Sequence, residues 1–177
     1  QEAQAGATLR RLAADPAYAA QRPQIAQALL DIGDRAGAAE IARGALGSGV
    51  TDAAGYETLV RVLAGAGADA EARAALSGAR QRLGGAQVER LDAVLAVSQA
   101  DRLRQDGRLA EAFDLLQDAW RVEPNSTEVL FQLGLLYESG DMPAQGAQTF
   151  QLLLARKPDD VPALLGLART ATAAGDN

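Results

Sequence analysis

Apolar residues return every three to four positions along most of this 177-residue chain, the spacing that lines one face of an α-helix. After Pro124 the pattern reads Leu130, Leu133 and Tyr137, and then Phe150 and Leu153 before Pro158. Small residues, Gly134 and Gly146, sit inside each apolar face, where a helix comes close to its neighbour. Proline then stops the second helix, because it lacks an N–H and clashes with the preceding turn. Pro124 and Pro158 stand 34 residues apart (158 − 124), and the same two-helix pattern recurs at that period. Its expected starts are 19, 53, 93, 127 and 161. The chain thus divides into the second helix of a partial repeat at 1–14, repeats at 19–52, 53–86, 87–126 and 127–160, and the first helix of a truncated repeat at 161–177.

One interval departs from the period: 53 to 93 is 40 residues, six more than 34. The extra segment, 87–92, has no helix breaker and runs into Ala93 through Val97, which predicts one long helix at about 86–105. Six residues lengthen a helix by roughly 9 Å and alter the angle between neighbouring repeats. Turns are expected at Gly33, Gly67, Gly107, Gly140 and Gly175. The segment Gly47-Ser48-Gly49 closes the first full repeat. Asp15-Pro16, Glu123-Pro124 and Lys157-Pro158 mark helix ends, since the residue before proline avoids the helical region. Ser126 or Thr127, and Asp159-Asp160, suit helix starts, and Pro143 and Pro162 fit first turns.

Composition narrows the chemistry. An apolar content of 48% excludes disorder, and 4% aromatics imply a shallow, alanine-rich core. A net charge of −6 argues against nucleic acid, whose phosphates need a basic stripe. The chain has no histidine and no cysteine, which removes the common zinc sites, the Ser-His-Asp triad and thiol nucleophiles. No catalytic residue, cofactor or metal is expected, and no apolar run is long enough to insert in a membrane. The remaining motifs read as structure. Asp159-Asp160 is a helix cap, Gly65-Ala66-Gly67 a helix–helix turn, and Asn125-Ser126-Thr127 a cap in spite of matching a glycosylation sequon. Trp120 packs between repeats.

In period and residue type the whole chain resembles the tetratricopeptide repeat family. That resemblance implies an all-α, right-handed α-solenoid of antiparallel helix pairs, a binding scaffold without catalysis. In that family certain places on the first helices line a groove. Carried onto this sequence they give Glu57, Arg61, Val97, Asp101, Arg104, Glu128, Phe131, Leu135, Glu138 and Arg169, together with Gln27, Leu30, Asp31, Gln105, Ser139, Leu165 and Thr172. Phe131 and Leu135, four apart, are read in two ways: as an apolar spot for a partner, or as packing against the next repeat. The lysines of the family's chaperone-binding branch have no counterpart, since Lys157 is the only lysine.

The stretches 100–114 and 136–142 also resemble the repeats of the bacterial cellulose synthase operon C family. This implies a periplasmic piece of a cellulose or exopolysaccharide export protein that guides a nascent glucan or docks protein partners of the synthase complex. A general adaptor gripping an extended peptide, in periplasm or cytoplasm, is the alternative. Association between copies through the ends is left open, and Leu164 and Leu167 are expected to be partly exposed or buried against another molecule.

Overall fold

A computed structural model describes residues 2–48 and 52–175. In order, the helices are α1 Glu2–Ala14, a short 3-10 helix Pro16–Gln21, α2 Arg22–Asp31, α3 Arg35–Gly47, α4 Ala53–Gly65, α5 Asp69–Arg80, α6 Gly85–Gln105, α7 Leu109–Val122, α8 Thr127–Ser139, α9 Pro143–Arg156 and α10 Val161–Ala174. No strand occurs among the described residues. Gly49, Asp176 and Asn177, expected at repeat ends, lie outside them. The chain forms two compact units, Gln1–Arg102 and Leu103–Asn177, which divide inside α6.

Four turns, α2–α3, α4–α5, α6–α7 and α8–α9, share one backbone device. The amides of Asp34, Ala68, Arg108 and Met142 each donate to a carbonyl five residues back, on Leu29, Leu63, Leu103 and Tyr137, at 2.8–2.9 Å. This closure needs a left-handed residue just past the helix. Gly33, Gly67, Gly107, Asp141 and Gly175 take that conformation, with φ between 57 and 84°. Their spacings are 34, 40, 34 and 34 residues (67 − 33, 107 − 67, 141 − 107, 175 − 141). In the fourth turn Gly140 keeps φ at −89° and Asp141, one place later, bears the left-handed strain. Short carboxylate side chains are among the few that tolerate it.

In the N-terminal unit, α2 pairs with α3 and α4 with α5, and α1 packs on α2 and α3. The core is alanine-rich: Ala26, Ala38, Ala42 and Ala64 have no exposed surface, and neither do Leu29, Leu59, Val60 and Leu63. The first helix of the first pair begins at Arg22, three residues after its expected start at Ala19. Asp15 accepts from the Ala17 amide at 2.9 Å and opens the 3-10 turn. Pro23 then sits in the first turn of α2, where its missing N–H has no intrahelical partner to lose.

The long helix forms as expected, 21 residues from Gly85 to Gln105. Its added first turns have their own small core, in which Val88 and Leu91 meet Tyr56, Leu76 and Ala79. The Arg82 guanidinium donates to the Tyr56 hydroxyl at 3.1 Å, and Arg80 pairs with Asp92 at 3.0 Å.

In the C-terminal unit α7 packs on α8, α8 on α9, and α9 on α10. Phe150 on α9 is fully buried. A Cβ on Gly134 of α8 would stand 2.6 Å from its ring, and one on Gly166 of α10 would stand 2.5 Å away. The ring is therefore seated between two helices that can approach it only because both lack side chains there. A Cβ on Gly146 would meet the Thr170 methyl at 2.9 Å and the Gly134 carbonyl at 3.5 Å, so α9 crosses α8 and α10 closely at that point too. Ser126 and Asp160 cap α8 and α10 by accepting from the Val129 and Ala163 amides at 3.3 and 3.1 Å.

Two outcomes follow for stability. Gly134→Leu must displace a ring that has no free space, so it should cost about 1–3 kcal/mol, read as a lower melting temperature. An unchanged melt would remove Gly134 as the close-approach point. Asp141→Gly should relieve left-handed strain of about 1–2 kcal/mol and lose about 0.4–1 kcal/mol to the freer unfolded chain. A net rise of a few degrees is expected; a fall in melting temperature would show that the Asp141 backbone is not strained.

Candidate functional site

The residues assigned to the groove are placed unequally. In the N-terminal unit Glu57 is half-buried and bonds Arg61 one turn on at 2.9 Å, while Arg90 approaches its other oxygen at 3.4 Å. Gln27 donates to Asp31 at 2.8 Å. Leu30 is half-buried, and its Cδ2 lies 2.8 Å from where a Gly65 Cβ would stand. Asp101 is half-buried. Val97 is the correction: it is 5% exposed and offers a ligand almost no surface. It lies three residues from Val94 and three from Ala100, both buried, so the apolar face of α6 is broad enough to include it.

The C-terminal unit gathers more of them. Arg169 on α10 makes a two-pronged bond to Glu138 on α8, Nε to Oε1 at 2.6 Å and Nη2 to Oε2 at 2.9 Å. Beside Glu138, Ser139 receives Arg104 Nη1 at 3.3 Å. Residues 104, 138, 139 and 169, far apart in sequence, therefore form one polar strip. The Arg169 hydrogen bonds hold the Glu138 carboxyl below its ordinary range against a desolvation cost, with smaller help from the charges of Arg169 and Arg104. A carboxylate held ionised in this way is a firm hydrogen-bond acceptor and a poor general base.

Toward the other end of α8, Phe131 and Leu135 are half-buried against the Leu130–Phe150–Leu153–Ala163 cluster. The Phe131 ring tilts onto Phe150, with centroids 5.9 Å apart. Packing thus accounts for one side of both residues. Glu128 is exposed, and so are Gln105, Thr172 and Leu165, the last at 57%. Trp120 packs on the same cluster, with the Arg156 guanidinium 5.4 Å over its ring. Among the described residues no group of three acidic side chains is placed to hold a metal ion.

One network was not visible in the pattern of apolar residues. Arg102, with only 14% of its side chain exposed, donates to the Ala64 carbonyl at 3.0 Å and to Asp69 at 2.8 Å, and Gln99 reaches Asp69 at 3.0 Å. The available signal was an acidic residue opening α5 and two long polar side chains three apart on α6.

The Glu138–Arg169 pair predicts a pH response. Its carboxyl has a folded pKa below the unfolded value, so its stabilisation is present above about pH 4.3 and is lost as pH falls through the lower folded value. Arg169 is half exposed, which limits the effect to about 0.2–1 kcal/mol. Glu138→Gln should melt below the wild type at pH 7, and the gap should close in strong acid. A gap that stays constant with pH would mean that the pair contributes through packing alone.

Residues 103–168 match the family model described as tetratricopeptide repeat. The chain is also 32% identical over 79 residues to the protein adenylyltransferase fic-1 of Caenorhabditis briggsae, and 30% identical over 79 residues to the Caenorhabditis elegans protein of the same name. Each match covers 45% of this chain and 16% of the relative, so the chain spans a small part of the length of these curated relatives. The match at residues 103–168, together with the helix pairs of both units, makes this an all-α chain with the tetratricopeptide type of architecture.

Proposed function

We propose that this chain is a non-catalytic scaffold whose first-helix faces bind an extended protein segment. The carrying observation is the strip formed by Arg104, Ser139, Glu138 and Arg169, with exposed Leu165 and the half-buried Phe131 and Leu135 on the same two helices. Charged groups held in place by one another, next to apolar spots, can bond a peptide backbone and seat its side chains. Repeat scaffolds of this kind serve protein–protein interaction.

The finer reading is a periplasmic role in cellulose or exopolysaccharide export, docking partners of a synthase complex or guiding the glucan. It rests on the sequence resemblance at 100–114 and 136–142. Within it the aromatic residues favour docking. Tyr56 and Phe150 are buried, Phe131 leans on Phe150, Phe113 meets Tyr137 edge-on at 6.2 Å, and Arg156 covers Trp120. Sugar rings are held best on open aromatic faces, and of these residues Tyr18 is the exposed one. We assign no adenylyl transfer to this chain, since the relatives named for it share 16% of their length with it.

The test pairs two probes. A displayed library of random peptides is selected on the chain, and cellohexaose is titrated while backbone amide shifts are followed. Selected peptides should lose about tenfold or more in affinity on Leu165→Ala or Glu128→Lys, and cellohexaose should leave the amides of 131–139 and 165–172 unmoved. Sugar-induced shifts there, with no peptide selected, would replace protein docking by glucan guidance.

A further inference from the structure

Charge is distributed unevenly in the C-terminal unit. Residues 103–177 carry six basic and eleven acidic side chains, a net of −5 (6 − 11). All six cations are already engaged inside the unit. Arg108, Arg121, Lys157 and Arg169 pair with Glu111, Asp118, Asp160 and Glu138. Arg104 donates to Ser139, and Arg156 donates to the Pro124 carbonyl and lies over Trp120. The excess of acid is therefore not offset by the unit's own side chains.

The open face of α8 brings part of that excess to the groove. α8 is flanked by α7, α9 and α10, yet Glu128 is exposed and Phe131 and Leu135 each keep a half-open side. The three stand at spacings of three and four, so they share one face. Both arginines of the strip sit at the far end of α8, against Glu138 and Ser139. Glu128 lies ten residues before Glu138 (138 − 128), about 15 Å along the helix. Acid also opens the neighbouring first helix, where Asp159 is exposed and Asp160 caps α10. One end of the strip is thus a balanced ion pair, and the other is apolar surface running into acid.

We propose that the segment taken by this groove is basic, with a lysine or arginine on Glu128 beside an apolar side chain on Phe131 and Leu135. The inference rests on the docking function proposed above and names the chemistry of the partner. Acidic segments, a free C-terminal carboxylate included, are selected against because they add to an excess already present. Geometry sets the spacing of the two anchors. Glu128 precedes position 133, midway between Phe131 and Leu135, by five residues (133 − 128), about 7.5 Å of helix. Alternate side chains of an extended chain stand about 6.7 Å apart on one side. The basic and apolar residues of the partner are therefore two positions apart, and the residue between them points away from α8.

The test is a displayed library of random peptides selected in parallel on the wild type and on Glu128→Lys, with melting curves to confirm that both are folded. The wild type should enrich lysine or arginine two positions from a large apolar residue. Binding of those peptides should weaken at least about threefold between about 0.05 and 0.5 M salt. Glu128→Lys should keep the apolar residue and enrich aspartate or glutamate in place of the base. A merely destabilised variant loses binding without exchanging one charge for the other. If Glu128→Lys does not fold, Glu128→Gln carries the test through loss of the basic preference. Peptides enriched without a basic residue, or a charge preference unchanged by the substitution, would overturn the inference and leave peptide docking standing. If neither protein selects any peptide, docking itself fails and the inference falls with it.

Discussion

The C-terminal unit depends on a ring with nowhere else to go. Phe150 fills the space between α8 and α10 because residues 134 and 166 have no side chains, and Gly146 lets α9 approach closely enough to put the ring there. Dispersion contacts fall away within an ångström of extra separation, so the approach distance, more than the number of apolar residues, decides how well such a pair holds. The N-terminal unit reaches the same closeness differently, with a run of fully buried alanines and modest leucines and valines. Both solutions bring neighbouring helices close together. In the C-terminal unit, residues of α6, α8 and α10 that are 31 to 35 apart in sequence come into hydrogen-bond contact.

On the reading proposed above, placement of that kind serves recognition. Glu138 is kept ionised by Arg169, and the chain has neither histidine nor cysteine to share a proton or attack a carbon. What remains is a row of mutually bonded donors and acceptors with apolar surface beside it. A bound segment would gain from contacts already in place and lose little to ordering the scaffold.

Much of this was legible in the sequence for physical reasons. The 34-residue period, the long helix at α6 and the closeness at Gly134 all follow from where large, small and helix-breaking residues fall. Gly166 was not legible, because a glycine within an apolar helix gives no sign of which ring will face it. The rule that places glycine at turns pointed to Gly140, while the chain winds one residue further and strains Asp141. Val97 misled because family places transferred onto a helix with extra turns assume a narrower buried face than α6 has. The Arg102–Asp69 bond escaped notice because apolar periodicity carries no information about which charges meet.

The most direct measurement is the set of nuclear Overhauser contacts from the Phe150 ring protons. Strong contacts to the α-protons of both Gly134 and Gly166 are predicted, since the ring lies against both backbones. Contacts to one glycine alone, or none with the averaged signals of a ring free in solvent, would contradict the claim that these two missing side chains set the spacing of the helices.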